Sequence, residues 1–213
     1  MHQLLVTFLI GLLGVSLVSF VVLGLLNRRR TRHLARWANG KGMRFSAGDI
    51  FAVSRRYARF AIVGAGHSPQ ASNVTYGRCN GLPVRAFDFR YEIGHGTRRL
   101  TKHYGVIVIE TDRPLPKALV WHETDVDCAP MPIRAANRRL DGWRFAGDER
   151  AALALVEACR MLQPEAVSAE AEGKALMFCM PLHRWKRDYV EHMDTIALIG
   201  DQIASRLAPP AGA

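Results

Sequence analysis

The sequence predicts an α+β protein: an N-terminal transmembrane helix, then one domain with a mainly antiparallel sheet and two amphipathic helices in its second half. Three observations carry that expectation. Leu4 to Leu26 runs without a charge and is followed at once by Arg28, Arg29, Arg30 and Arg32. The middle of the chain holds alternating and β-branched runs around Asn80-Gly81, and the last third holds two stretches whose apolar residues recur at three and four.

At about 1.5 Å per residue the charge-free run makes a helix of about 34 Å, enough to cross a hydrocarbon core of about 30 Å. Only Met1, His2 and Gln3 precede it, whereas a secretory signal carries its positive charge in front and a small-residue cleavage site behind. Residues 1–27 therefore read as an uncleaved single span. Lys and Arg are retained on the cytoplasmic side, which predicts an inner-membrane protein with its N-terminus outside and its domain in the cytoplasm.

Residues 28–44 form a basic juxtamembrane neck. Seven of the 29 basic residues precede the first acidic one, Asp49, so the net charge of +10 is concentrated beside the bilayer and 22 basic residues face 19 acidic ones in the rest of the chain. The expected partner of this neck is a bilayer with anionic head groups, met by Arg28, Arg29, Arg30, Arg32 and Arg36 at about 1 kcal/mol per residue near the surface. Nucleic acid is disfavoured as a partner, because the body offers only short pairs such as Arg55/Arg56, Arg98/Arg99 and Arg138/Arg139. Cys79, Cys128, Cys159 and Cys179 are widely spaced with no Cys-x-x-Cys, which suits reduced thiols in a cytoplasmic domain rather than a zinc site or a disulfide framework.

The neck continues the helix through Asn39, and Gly40 and Gly42 are suited to stopping it. The core pattern of the domain, residues 45–207, begins near Phe45. Phe45 to Gln70 reads as loop with one short strand at Phe60 to Val63. Ser72 to Arg78 and Leu82 to Tyr91 flank Asn80-Gly81, the favoured two-residue hairpin turn. Leu100 to Thr111 holds Val106-Ile107-Val108-Ile109, a β-branched run suited to a central strand. Lys117 to His122 is set off as a fourth strand by Pro114 and Pro116, and Trp143 to Ala146 as a short fifth.

Gly147 or Asp148 can cap a helix that runs to Gln163 with Ala152, Leu155, Val156, Cys159 and Leu162 on one stripe, stopped by Pro164. Ala166 to Glu172 and Lys174 to Met180 read as strands turning at Gly173. Asp188 then caps a last helix whose stripe is Tyr189, Met193, Ile196, Gly200, Ile203 and Leu207. Residues 208–213 read as a disordered tail.

The run Leu34-Ala35-Arg36-Trp37-Ala38 with Gly42 and Phe45, then Ala71-Ser72-Asn73-Val74 with Gly77 and Gly81, then Ala86-Phe87-Asp88-Phe89-Arg90-Tyr91, resembles a group of bacterial single-pass membrane proteins of unknown function. The resemblance implies the architecture and the membrane attachment. It brings no site residues with it.

Candidate sites are few. Pairing Tyr91 with Leu100 would set Asp88 opposite His103, a carboxylate beside an imidazole, which reads first as a cross-strand charge pair and second as an acid-base pair. No nucleophile motif or metal motif accompanies it. Glu123, Asp125 and Asp127 would share one face of an extended segment near His122, a weak pattern for a hard cation and a stronger one for a solvated acidic loop. Gly64-Ala65-Gly66 lacks the third glycine and the helix of a dinucleotide loop. Asn73-Val74-Thr75 is a glycosylation acceptor by spacing, discarded for a cytoplasmic domain. His183, Arg184, Trp185, Lys186 and Arg187 form a basic segment around an aromatic residue, read as a loop with Trp185 in the core or as an interface contact.

No cofactor is implied. The leading functional expectation is a non-enzymatic interaction or regulatory domain with a protein partner still to be identified. The alternatives are a membrane-bound enzyme, a hydrolase using Asp88 and His103 with a group from Glu123 to Asp127, or a domain binding anionic lipid or nucleic acid.

Overall fold

A computed structural model describes residues 2–136, 138–162, 167–182 and 189–207. The expected stop at Pro164, the strand start at Ala166, the cap at Asp188, the basic segment His183 to Arg187 and the tail from Ala208 lie outside the described residues, as do the side chains of Asp127 and Cys128. The protein is α+β, with a long apolar N-terminal helix, an antiparallel sheet and helices in its second half.

The first helix, α1 (His2–Gly40), is uninterrupted over 39 residues, so the apolar run and the basic neck are one element. Among the described residues it is the one helix long and apolar enough to cross a membrane. It ends where Met43 N–H reaches back to the Ala38 carbonyl at 2.9 Å, across a left-handed Gly42. Arg30, Leu34 and Ala38, spaced by four, share one face, and Leu34 and Ala38 are fully buried in the domain core. The core therefore begins at Leu34 and not at the expected Phe45. Propensity and charge define the neck in the sequence, but its buried stripe is only two small contacts long.

The sheet order is β1 (Arg44–Ser46), β2 (His67–Cys79), β3 (Leu82–Ile93), β4 (Leu100–His122), β6 (Trp143–Gly147) and β5 (Arg139–Leu140), with β7 (Ser168–Pro181) also paired to β4, all antiparallel. The β2–β3 hairpin turns at Asn80-Gly81 as the sequence predicts. β4 pairs with β3 along its first half and with β6 at its end, while β7 lies along most of its length, so the β-branched run is central.

Two expected breaks are bends instead. The segments Leu100 to Thr111 and Lys117 to His122 are one strand, irregular between Glu110 and Ala118. Opposite that irregularity Gly173, at φ 60°, stays paired to Leu115, so β7 is also one bent strand with no turn at Gly173. A proline that cannot donate to the ladder and a glycine that tolerates positive φ bend the pair without ending it. The bend curls the sheet until Trp121 meets Tyr104 of the same strand, ring centroids 6.0 Å apart.

The two faces of the curled sheet carry separate cores. Val84, Ala86, Ile107, Ile109, Leu176 and Phe178 face α4 (Glu149–Met161), α5 (Met193–Leu207) and the end of α1. Asp148 caps α4 through Ala151 N–H at 2.8 Å. Gly200 lets α5 close on the sheet, since a Cβ there would stand 2.3 Å from Ile109 Cδ1. The other face is aromatic, running from Phe87, Phe89 and Tyr91 to Tyr104 and Trp121. It is covered by α2 (Val53–Arg56), the turns that follow it, and α3 (Met131–Ala135). The expected strand Phe60 to Val63 belongs to those turns, with Phe60 N–H on the Tyr57 carbonyl and Val63 N–H on that of Phe60. Its apolar residues plug the concave face rather than join an edge.

Leu34→Ala is expected to lower the stability of the domain by about 2–5 kcal/mol, the range for a buried leucine truncated in a close-packed core. In thermal melts, a chain beginning at His33 should unfold cooperatively and one beginning at Phe45 should not. Equal melts for the two chains would show that α1 contributes nothing to the core.

Candidate functional site

Asp88 lies at the centre of the clearest polar constellation, and its partner is α1. Arg30 Nε donates to Asp88 Oδ2 at 3.0 Å and Nη2 to Oδ1 at 2.9 Å, a two-point grip that a planar guanidinium makes on a carboxylate. Asn73 Nδ2 donates to Asp88 Oδ2 at 2.8 Å, and Thr31 Oγ1 donates to Asn73 Oδ1 at 3.0 Å. Asn73 sits in a left-handed conformation (φ 52°) at the irregularity between Ser72 and Thr75, so the bulge aims its amide at α1. The residue singled out as a glycosylation acceptor is thus buried inside this network.

The register replaces the expected Asp88/His103 pair. Ile93, not Tyr91, stands opposite Leu100, which sets Asp88 against Gly105 and His103 against Arg90. The physical reason is a shorter turn. Gly94 and Gly96 take positive φ, and a Cβ on Gly94 would stand 2.5 Å from the Arg98 carbonyl oxygen, so the chain reverses in less length and two more residues pair. A shift of two preserves every inside-outside assignment, so alternation in the sequence does not distinguish the two registers.

Glu123 to Cys128 is a 3-10 segment kinked at Asp125 rather than an extended strand, so its carboxylates do not line one face. Asp125 accepts from the Tyr104 hydroxyl and from Lys102 Nζ at 3.3 Å, while Glu123 lies near Arg139 at 3.4 Å and Arg144 at 3.9 Å. Tyr104 belongs to the aromatic face and Asp88 to the face of α1, so the sheet separates Asp125 from Asp88 and His103. No group of three or more metal-ligating side chains is assembled among the described residues. Of the expected lipid contacts, Arg28, Arg29, Arg32 and Arg36 are exposed, and Arg30 is turned to Asp88.

Burial pushes the Cys79 thiol up to about 11, with the neighbouring Asp194 carboxylate adding to the shift, and burial raises Cys159 and Cys179 as well. These thiols stay protonated at neutral pH and are poor nucleophiles.

A second polar site was not apparent in the sequence. A cleft of about 340 Å³ opens over the aromatic face, lined by Arg59, Phe60, Lys117, Leu119 and Met131, with Glu170 at its floor. Glu170 is 2% exposed, and both carboxylate oxygens lie within 2.9 Å of Ala61 N–H. Burial pushes its carboxyl up to about 7, opposed by the amide of Ala61. The side chain holds the turns after α2 onto the sheet. A lone glutamate among alanines in Ser168-Ala169-Glu170-Ala171 was the available signal, but it does not say which backbone groups it serves.

No family model matches the sequence, and no curated protein matches it. The fold is similar to that in the crystal structure of the mycobacterial trehalose monomycolate transport factor A, TtfA. The TM-score is 0.55 at 15% identity, over 86% of this chain and 98% of that chain.

Asp88→Ala should destabilise the domain by about 1–3 kcal/mol, because it strands the donors of Arg30 and Asn73. In a double-mutant cycle with Arg30→Gln, the second substitution should cost little once the first is made. Additive losses in urea melts would show that the two side chains act independently.

Glu170 binds its proton more tightly folded than unfolded, so its contribution to stability is complete below about 4.5 and is lost as pH rises through about 7. Glu170→Gln keeps an acceptor for Ala61 N–H and should remove that slope, leaving the variant more stable than the parent at pH 8. An unchanged pH profile of the melting temperature would refute the assignment.

Proposed function

We propose that this protein is a single-pass inner-membrane module without catalysis of its own, whose cytoplasmic domain serves a transport system as an accessory factor. The observation that carries the proposal is the passage of α1 directly into the domain core. Leu34 and Ala38 are fully buried, and Arg30 grips Asp88, so no flexible linker separates the apolar run from the sheet. A tethered enzyme acting on a diffusing substrate gains nothing from such stiffness. A module that presents one surface to a membrane-embedded partner gains a fixed height and a fixed orientation, and less freedom is lost on binding.

The orientation rests on the cluster Arg28 to Arg36 that follows the span. The structural neighbour is a transport factor for trehalose monomycolate, and a comparable role for this chain rests on likeness of fold. The partner is then a protein of the same membrane. Against the catalytic alternative weigh the engagement of Asp88 by Arg30 and Asn73 and the place of Asp125 across the sheet.

Inserting four glycine and serine residues between Leu26 and Arg28 should leave the melting temperature of the domain unchanged while abolishing complementation of a deletion strain. Full complementation by the linker variant, or by a chain beginning at His33, would sink the proposal. A reporter fused after Ala213 should read as cytoplasmic.

A further inference from the structure

We propose that the turn joining β3 and β4, with Leu100 and the arginines around it, docks on the anionic face of the same bilayer that α1 crosses. This goes beyond the proposed function and rests on its membrane anchoring.

Two contacts fix how α1 runs beside the sheet. At one level Arg30 meets Asp88. Further along the helix, Lys41 Nζ meets Asp194 at 2.5 Å, the same carboxylate takes the Cys79 thiol at 3.3 Å, and Cys79 pairs with Leu82. Met43 likewise packs on Gly77, whose partner in β3 is Val84, so the Leu82 end of β3 lies beside the end of α1 and the Asp88 end lies beside Arg30. Moving from Leu82 to Asp88 is moving toward the apolar run.

β3 does not stop at Asp88. It continues to Ile93, about 17 Å of strand directed toward the apolar run. Arg30 stands four residues past Leu26, about 6 Å of helix, so Asp88 already lies at the depth of the head-group layer, about 5–8 Å thick on each side of the hydrocarbon, and the turn beyond it meets the bilayer whenever the run is in the membrane.

The residues at this end fit such a surface. Leu100 is 52% exposed, and His95, Arg98 and Arg99 beside it are exposed. Arg99 is matched by Glu92 at 3.2 Å and Lys102 by Asp125 at 3.3 Å. Among the described ion pairs neither Arg90 nor Arg98 has an acidic partner, and Arg90 is held outward by Gln70. An apolar side chain between cations suits the boundary between acyl chains and phosphates. Arg56 is not part of this surface, because it is bound to Glu110 on the far side of Asp88 from the turn.

The test uses the full chain in proteoliposomes of phosphatidylglycerol and phosphatidylethanolamine whose acyl chains are brominated near the head group. Tryptophan fluorescence of Leu100→Trp is compared with that of Arg78→Trp, at the opposite end of the sheet, after subtraction of the parent signal. The added emission of Leu100→Trp should be quenched and that of Arg78→Trp should not. Replacing Arg90 and Arg98 with glutamine should lower the docked-to-free ratio about fivefold per arginine, and only with the anionic lipid present. Equal emission from both positions overturns the proposal, as it would if the arginines served a polyanion in solution. Labelling of the N-terminus by an impermeant reagent reports separately whether α1 spans, so failure of the anchor is distinguishable from failure of the docking.

Discussion

The structure depends on one continuity. The helix that begins as an apolar run ends as part of the domain core, and no break in the helix separates the two. Arg28, Arg32 and Arg36 lie on an outer stripe while Arg30, Leu34 and Ala38 lie on the inner one, because residues spaced by four return to the same side of a helix. One stretch of sequence therefore meets solvent or lipid on one side and a sheet on the other. The grip of Arg30 on Asp88 sits where these two environments meet, half-buried at 28% and 16% side-chain exposure, so it is screened less than a surface pair and costs less to desolvate than a buried one.

The sheet then decides where everything else goes. By bending β4 and β7 together at Leu115 and Gly173, it curls toward its aromatic face and leaves its aliphatic face to α4, α5 and the end of α1. The turns after α2 are drawn in to cover the aromatic face, and Glu170 fastens them through the amide of Ala61. A carboxyl in that position is held at the expense of its charge. The cleft above it marks where the cover is incomplete.

Stiffness at the junction and reach at the β3–β4 turn belong together. A domain fixed to its helix at Arg30 and Leu34 cannot tumble, so whichever surface lies toward the apolar run stays there. That surface is set by strand direction alone, because β3 runs past Asp88 toward the same end as the run.

The sequence by itself determined what is local and periodic. It showed the long apolar helix and the charge that follows it, the Asn80-Gly81 hairpin, the central β-branched strand, the Asp148 cap and the buried stripes of α4 and α5, since each is written in spacing or in a residue type that only one local conformation favours. Its alternation already placed Asp88 and His103 on one face. Tertiary structure alone decided the register between β3 and β4, because a slip of two residues leaves alternation untouched and only the tightness of the Gly94–Gly96 turn selects between them. It likewise decided that Pro114, Pro116 and Gly173 bend strands rather than end them, since a bulge and a break look alike until the partner strand is known. The role of Arg30 was beyond the sequence for the same reason. Among arginines in a row, the one that turns inward is chosen by a carboxylate 58 residues away.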